Sequence, residues 1–320
     1  MKMQSSAMSR RQWLVSVGGA ALAAPVFMQA ADADLKARAK KNIKLAIVSS
    51  AYGKLSPAET AKKMKSQGFS GVILDYAFSD LGFNWEAPDW EAAKKIAGCF
   101  TDQGISIVGL STYYNVIDPD AARRKRGEAR MEFFIEHWKR LGSPILCTET
   151  GTLNAQSEWL ESPENSTEKA YLDCRAAFER LAGKAEKTGA FVAIEPYWKN
   201  VIASVERAER LFREVPSKAL KLVMDPCNYY RKEDLARMDP ILEDIFRRIG
   251  EKTVLAHAKD VKASADGTDL PAAGLGVLDY PLYLRLLAKL DREVFLALEH
   301  LGLDDVPRAR DFVLGQFEKI

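Results

Sequence analysis

Histidine is scarce in this chain, with three in 320 residues, so any site built on imidazole can use only one or two. Cysteine is scarce as well. Cys99, Cys147, Cys174 and Cys227 are widely spaced with no CxxC pair, which excludes a cysteine zinc cluster, and a domain this large does not need disulfides. Cys147 and Cys227 fall in apolar strand-like runs, where a buried thiol is expected. Net charge is nearly absent: 46 basic against 44 acidic residues, interspersed, give +2. No nucleic acid or membrane surface is called for, and the expected partner is a small molecule, with self-association into a homo-oligomer left open. A glycine-rich dinucleotide fingerprint is missing too, because the first strand runs into "SSAYGKLSP" rather than GxGxxG. No apolar stretch has membrane length. The nearest, Leu14 to Met28, is short and is broken by Gly18, Gly19 and Pro25.

That same stretch has another reading. A twin arginine (Arg10, Arg11) precedes Trp13 and Leu14, a mildly apolar Gly/Ala-rich run follows, and Ala31-Asp32-Ala33 offers small residues for cleavage. Residues 1–33 resemble a twin-arginine (Tat) export signal, which implies a folded, periplasmic product in a bacterium with any metal inserted before export. Residues 34–42 form a short lead-in to the folded domain.

From residue 43 onward, short β-branched runs alternate with longer amphipathic segments. Strands are expected at "IKLAIVSS", "GVILDY", "SIVGLST", "PILCTET", "FVAIEPY", "LKLVMDPC", "TVLAHAKDV" and "VFLALEH", with a helical pattern after each. Gly68, Gly104, Gly142 and Gly189 stand where helix C-caps belong. Eight βα units over residues 43–320, without a linker-like break, predict a single-domain α/β fold, a (β/α)8 TIM barrel.

Barrel enzymes carry their chemistry at the carboxyl ends of the strands. Strand five ends in Glu195, strand six in Asp225, strand seven in His257 and strand eight in Glu299, each delivered by an apolar run. Any one of these alone is more often a cap or a salt bridge. On four consecutive strands, only about 5 Å apart from neighbour to neighbour, they point to one site. Three carboxylates brought together repel unless a cation neutralises them. A set of carboxylates and one imidazole suits one divalent metal ion, Mn²⁺ first, with Mg²⁺, Co²⁺ or Zn²⁺ also compatible. His137 lies mid-helix and is expected to pack there. His300 follows Glu299, so in extended geometry it faces the helix layer, unless the strand has already ended.

The Glu-Pro at 195–196, Asp-Pro-x-Asn at 225–228, His-x-Lys-Asp at 257–260, Glu299 and the "GLGVLDY" segment at 274–280 together resemble the xylose isomerase-like barrel superfamily, the sugar phosphate isomerase/epimerase family. The resemblance covers about residues 43–320. It implies that Glu195, Asp225, His257 and Glu299 bind the metal and that Glu195 and Glu299 are the catalytic pair that moves the substrate proton. The implied activity is a sugar isomerase or epimerase working through a metal-stabilised enediolate, with return of the proton deciding between epimer and isomer. Where ketose 3-epimerases of that family place a substrate-binding His three residues after the metal Asp, this chain has Asn228. Their substrate-binding Arg beyond the metal His has no counterpart in "AKDVKASA". Those departures leave room for a metal-dependent lyase or hydratase on a keto-sugar, inosose or 3-keto-glycoside. A third alternative is a carbohydrate-binding protein that retains the metal site, against which the intact Glu195 and Glu299 weigh. Apurinic endonucleases share the fold but assemble several zinc ions on many histidines, which this chain lacks.

Further expected substrate-binding residues are Asn228, Lys259, Glu149, Trp198 and Tyr113. Lys259 has the parity of His257, with Asp260 a supporting residue beside it. Glu149 closes strand four and either meets a sugar hydroxyl, serves as an extra acid/base or caps its strand. Trp85, Tyr113 and Tyr114, Tyr197 and Trp198, and Tyr229 and Tyr230 follow strand ends, where rings can stack on sugar C–H faces or pack loops over the mouth. An exported enzyme is expected to meet a free or glycosidic sugar rather than a phosphorylated one.

Overall fold

A computed structural model describes residues 33–265 and 267–320 of the chain. The expected export signal lies outside the described residues, save for its last position. Residues 33–42, expected as a lead-in, are helical (α1).

The eight apolar runs become eight parallel strands: β1 (Ile43–Val48), β2 (Gly71–Leu74), β3 (Ser106–Ser111), β4 (Ile145–Glu149), β5 (Phe191–Glu195), β6 (Leu220–Met224), β7 (Thr253–Ala258) and β10 (Val294–Leu298). They close in the order β1-β10-β7-β6-β5-β4-β3-β2, a (β/α)8 barrel. Strands covered by helices outside and filled inside have no solvated face, which is why they read as nearly unbroken hydrophobic runs. The covering helices are α2 (Pro57–Ser66), α3 (Trp90–Thr101), α4 (Ala121–Leu141), α5 (Glu168–Thr188), α6 (Val205–Glu214), α7 (Met238–Ile249), α8 (Tyr280–Lys289) and α9 (Val306–Gln316).

Local signals set the helix ends. Ser56 and Glu59 form a reciprocal capping box at the start of α2, and Asp89, Asp120, Thr167, Ser204 and Asp279 accept first-turn N–H groups of α3, α4, α5, α6 and α8. Helices α4 and α5 stop at Gly142 and Gly189, whose φ angles of 94° and 78° suit glycine. One pair of elements was not foreseen. The loop after β7 carries a small antiparallel hairpin, β8 (Lys262–Ser264) with β9 (Gly267–Asp269).

Inside the barrel, Ala46, Ile73, Val108, Cys147, Ala193, Val223, Leu255 and Ala297 form an apolar layer with one residue from each strand. A strand turns the same face inward every second residue. Two positions further along, that period brings Val48, Asp75, Glu149, Glu195, Asp225, His257 and Glu299 to the interior at the carboxyl end. From β3 comes Ser111, two residues after Gly109, whose α-carbon faces Cys147. The polar ring thus sits directly on the apolar plug. All four cysteines are free thiols; Cys147 and Cys227 are buried, as expected, and so is Cys174.

Candidate metal centre

The four strand-end residues converge. Glu195, Asp225, His257 and Glu299 each offer one ligand atom, and all four atoms lie within 4.8 Å of one another. His257 Nδ1 is 3.5 Å from Glu195 Oε1, 3.5 Å from Asp225 Oδ2 and 3.2 Å from Glu299 Oε2. Neither ring nitrogen of His257 has a hydrogen-bond partner, although the residue is buried. A buried imidazole that faces three carboxylates and bonds to none is costly by itself. With a divalent cation among the four, each atom acquires a partner. The O₃N donor set therefore fits a hard or borderline divalent ion.

Burial pushes the carboxylates up, and His257 and Lys259 pull them down. Glu195 ends at about 2 and Glu299 well below the usual carboxylate range, whereas for fully enclosed Asp225 burial prevails and its value is raised. Burial alone would lower His257, but Glu299, Glu195 and Asp225 hold it well above its ordinary 6.5.

Neighbouring groups fix the ligands. Asn228 Nδ2 donates to Glu195 Oε1 at 2.7 Å, and Tyr113 Oη donates to Glu195 Oε2 at 2.5 Å. Asp225 Oδ1 accepts the Cys227 N–H at 3.1 Å. Lys259 points inward, its Nζ 2.7 Å from both Asp225 Oδ2 and Glu299 Oε1.

The segment after His257 explains its own sequence. Asp260, 1 % exposed, accepts the backbone N–H groups of Val261, Gly274 and Leu278, so it organises the loop rather than meeting a ligand. A Cβ on Gly276 would fall 2.3 Å from the Val261 carbonyl oxygen and 2.5 Å from Asp260 Oδ1, so only glycine fits there. Asp279 caps α8, and Tyr280 Oη donates to the Lys259 carbonyl at 2.8 Å. "GLGVLDY" is thus the clamp that holds His-x-Lys-Asp in place.

A cavity of about 660 Å³ opens over the centre. Its wall includes Tyr113, Glu149, Asn228 and Lys259 from the expected set, together with Glu195, His257 and Glu299. Glu149 is 1 % exposed, and neither of its oxygens has a hydrogen-bond partner. Burial, then Glu158 and Glu195, push its carboxyl up to about 9. Trp198 is not in the wall. Its ring packs between Arg231, 4.5 Å away, and Lys199, and the ring that this loop turns to the cavity is that of Tyr197. Trp85 and Tyr114 line a neighbouring cavity over α4, while Tyr229 and Tyr230 are buried in the core.

His300 does not face the helices, because the strand has already ended before it. Strand β10 ends at Leu298, and His300 adopts a left-handed φ of 56°, which turns its ring into the cavity wall. Its Nδ1 lies 2.7 Å from the Leu270 carbonyl oxygen. His137 packs against Trp90 and Phe133 on the helix layer, as expected. Asp75, Ser50, Ser111 and Trp159 also line the cavity. Asp75 was detectable, since "GVILDY" shows the same apolar-run-then-acid pattern as strands five to eight. Trp159 sits in an irregular loop with no such signal.

A family model described as xylose isomerase-like TIM barrel matches residues 61–312. Among curated proteins, none matches the chain. Several solved structures share the fold. A xylose isomerase-like TIM barrel protein from Mycobacterium smegmatis in complex with magnesium is 16 % identical, with a TM-score of 0.64 over 88 % of this chain and 97 % of that one. Mannonate dehydratase from Streptococcus suis is 17 % identical, with a TM-score of 0.65 over 87 % and 93 %. The 3-keto-D-glucoside 4-epimerase from E. coli is 16 % identical, with a TM-score of 0.60 over 87 % and 99 %.

Proposed function

The chain belongs to the xylose isomerase-like TIM barrel family, and on that premise we propose that it is a divalent-metal-dependent sugar isomerase or epimerase that moves a proton next to a carbonyl. One observation carries the reading. Glu195 and Glu299 rise from strands three places apart, with Asp225 and His257 between them, so they meet a substrate from two sides of one metal-binding cluster.

A divalent ion held by these four residues supplies polarisation of a sugar carbonyl and its neighbouring hydroxyl, which acidifies the C–H between them. Glu195 takes that proton. Tyr113 and Asn228, bonded to its two oxygens, orient the carboxylate for the transfer. For epimerisation Glu299, on the other side, first takes a proton from solvent and delivers it to the opposite face, while Glu195 later releases its proton to solvent. For isomerisation Glu195 returns its own proton to the adjacent carbon. Asn228, in the cavity wall, bears on substrate oxygens, and Glu149 supplies a buried polar contact for a hydroxyl. Between compatible ions, Mn²⁺ is our first choice.

A second reading is elimination on a keto-glycoside, and the cavity's outer wall favours it. Trp159 lines that wall at 49 % exposure, its ring 6.3 Å from the ring of Tyr113, which in turn bonds to Glu195. A sugar held at the centre can therefore extend a second ring onto Trp159. The twin-arginine pattern at 10–14 supports an exported enzyme that meets free or glycosidic sugars.

The test is an NMR screen of ketoses and 3-keto-glycosides in D₂O with Mg²⁺-loaded protein. Deuterium entering a sugar carbon without bond cleavage supports the isomerase, and a new alkene or free aglycone supports the lyase. A metal-loaded protein that binds sugars but does neither on any of them refutes enzymatic function.

A further inference from the structure

Lys259 stands two residues beyond His257 on the same inward face, and it is 3 % exposed. Its Nζ is 2.7 Å from Asp225 Oδ2, 2.7 Å from Glu299 Oε1 and 3.8 Å from Glu195 Oε1. Glu299 divides its two oxygens, Oε2 toward His257 and Oε1 toward Lys259. Asp225 Oδ2 faces both. The ammonium thus lies within 4 Å of an oxygen from each of the three carboxylates and closest to Asp225 and Glu299.

The residue is also held in place. Its backbone bridges to Ala272, and its carbonyl accepts from Tyr280 Oη at 2.8 Å and faces Cys227 Sγ at 3.5 Å. With the backbone fixed and the side chain buried, the shortest partners open to the ammonium are the two carboxylates it already touches. Charge then decides the matter. Three carboxylates carry −3, the ammonium +1 and a divalent ion +2, so the loaded centre sums to zero. An uncompensated charge in such an enclosed site is expensive, and the lysine removes it.

We propose that Lys259 is a built-in fifth member of the metal centre: its ammonium remains between Asp225 and Glu299 when a divalent ion is bound, neutralises the loaded site and weakens its hold on the ion. Lys259 is accordingly a positioning residue that acts through the metal ligands. The inference rests on the assignment of Glu195, Asp225, His257 and Glu299 as those ligands.

The sign of its effect separates it from a merely structural role. Removing a buried lysine that only supported the fold would loosen the site and weaken metal binding. Removing a like charge from beside the ion strengthens it. In a calorimetric Mn²⁺ titration of wild type and Lys259→Met, the variant is expected to bind about tenfold tighter or more, since even at an intermediate dielectric two cations this close repel strongly. Metal-free Lys259→Met should melt below metal-free wild type and regain the difference on loading. Equal or weaker Mn²⁺ binding by the variant overturns the proposal.

A wild type that binds no divalent ion at all defeats the ligand assignment instead, so the two failures are distinguishable. Should Lys259→Met not fold, a crystal structure of Mn²⁺-loaded wild type decides. Nζ within hydrogen-bond distance of Asp225 and Glu299 upholds the proposal, and Nζ withdrawn from both overturns it.

Discussion

Replacing Glu149 with Gln should make the metal-free protein increasingly more stable than wild type as pH rises, and the cavity wall sets the size of the effect. Glu149 is buried without a hydrogen-bond partner on either oxygen. Burial, then Glu158 and Glu195, lift its carboxyl from 4.5 to about 9. The unfolded chain releases this proton near 4.5 and the folded chain keeps it to about 9, so between those values folding takes up a proton. The contribution to stability is complete below the unfolded value and is lost as pH rises, at about 1.4 kcal/mol per pH unit. By pH 7.5 the loss is about 4 kcal/mol as an upper bound, because relaxation and water entry lessen the burial penalty. Gln has the same shape and cannot ionise. The variant should therefore match wild type near pH 4.5 and exceed it by about 2–4 kcal/mol at pH 7.5. Urea unfolding of both proteins in EDTA at pH 5, 7 and 8.5 measures this directly. Parallel stability curves would refute the reasoning, since they would mean that Glu149 ionises as readily in the fold as outside it.

Tyr113→Phe removes the hydroxyl that donates to Glu195 Oε2. It should lower kcat by about tenfold while leaving Mn²⁺ affinity near wild type, and an unchanged kcat would count against Tyr113 as the group that orients Glu195. Asp260→Ala strips an acceptor from three backbone N–H groups in the loop after β7. It should cost about 3 kcal/mol or more of unfolding free energy in denaturant, whereas a loss below half of that would mean the loop is held by other contacts. The three carboxylates hold His257 protonated well above its ordinary 6.5 in the metal-free protein. A divalent ion must displace that proton, so affinity should rise with pH, and the calorimetric enthalpy at pH 7 should vary with the ionisation enthalpy of the buffer. Binding without proton release would show that the imidazole is already neutral.

The barrel was readable because each of its strands is buried on both sides, and so registers as an apolar run of strand length closed by a polar residue. The same fact exposed the centre: Glu195, Asp225, His257 and Glu299 each follow such a run by one inward step. The same inward step places further residues in the cavity wall. Tyr197 shares the parity of Glu195 and lines the cavity, whereas Trp198, one residue on, turns away and packs on Arg231. Asp75 ends β2 in the same manner and also faces the cavity. At His300 the alternation no longer applies, because the strand ends at Leu298 and a left-handed residue follows. The hairpin of β8 and β9 gave no signal, because three-residue strands of mostly small and polar residues have no measurable period and pair only with each other. The inward aim of Lys259 followed from parity, but its seat between two carboxylates depends on how β6, β7 and β10 lie side by side. No pattern within one strand encodes that.

The account rests on four residues from four strands acting as one metal site. The measurement that tests this most directly is a Mn²⁺ titration of the metal-free protein, followed by electron paramagnetic resonance, in wild type and in Asp225→Asn and His257→Ala. Wild type is predicted to bind one ion per chain, and each variant to bind it at least about a hundredfold more weakly, while keeping the wild-type fold by circular dichroism. A wild type without a saturable site, or folded variants that bind Mn²⁺ as wild type does, would contradict it.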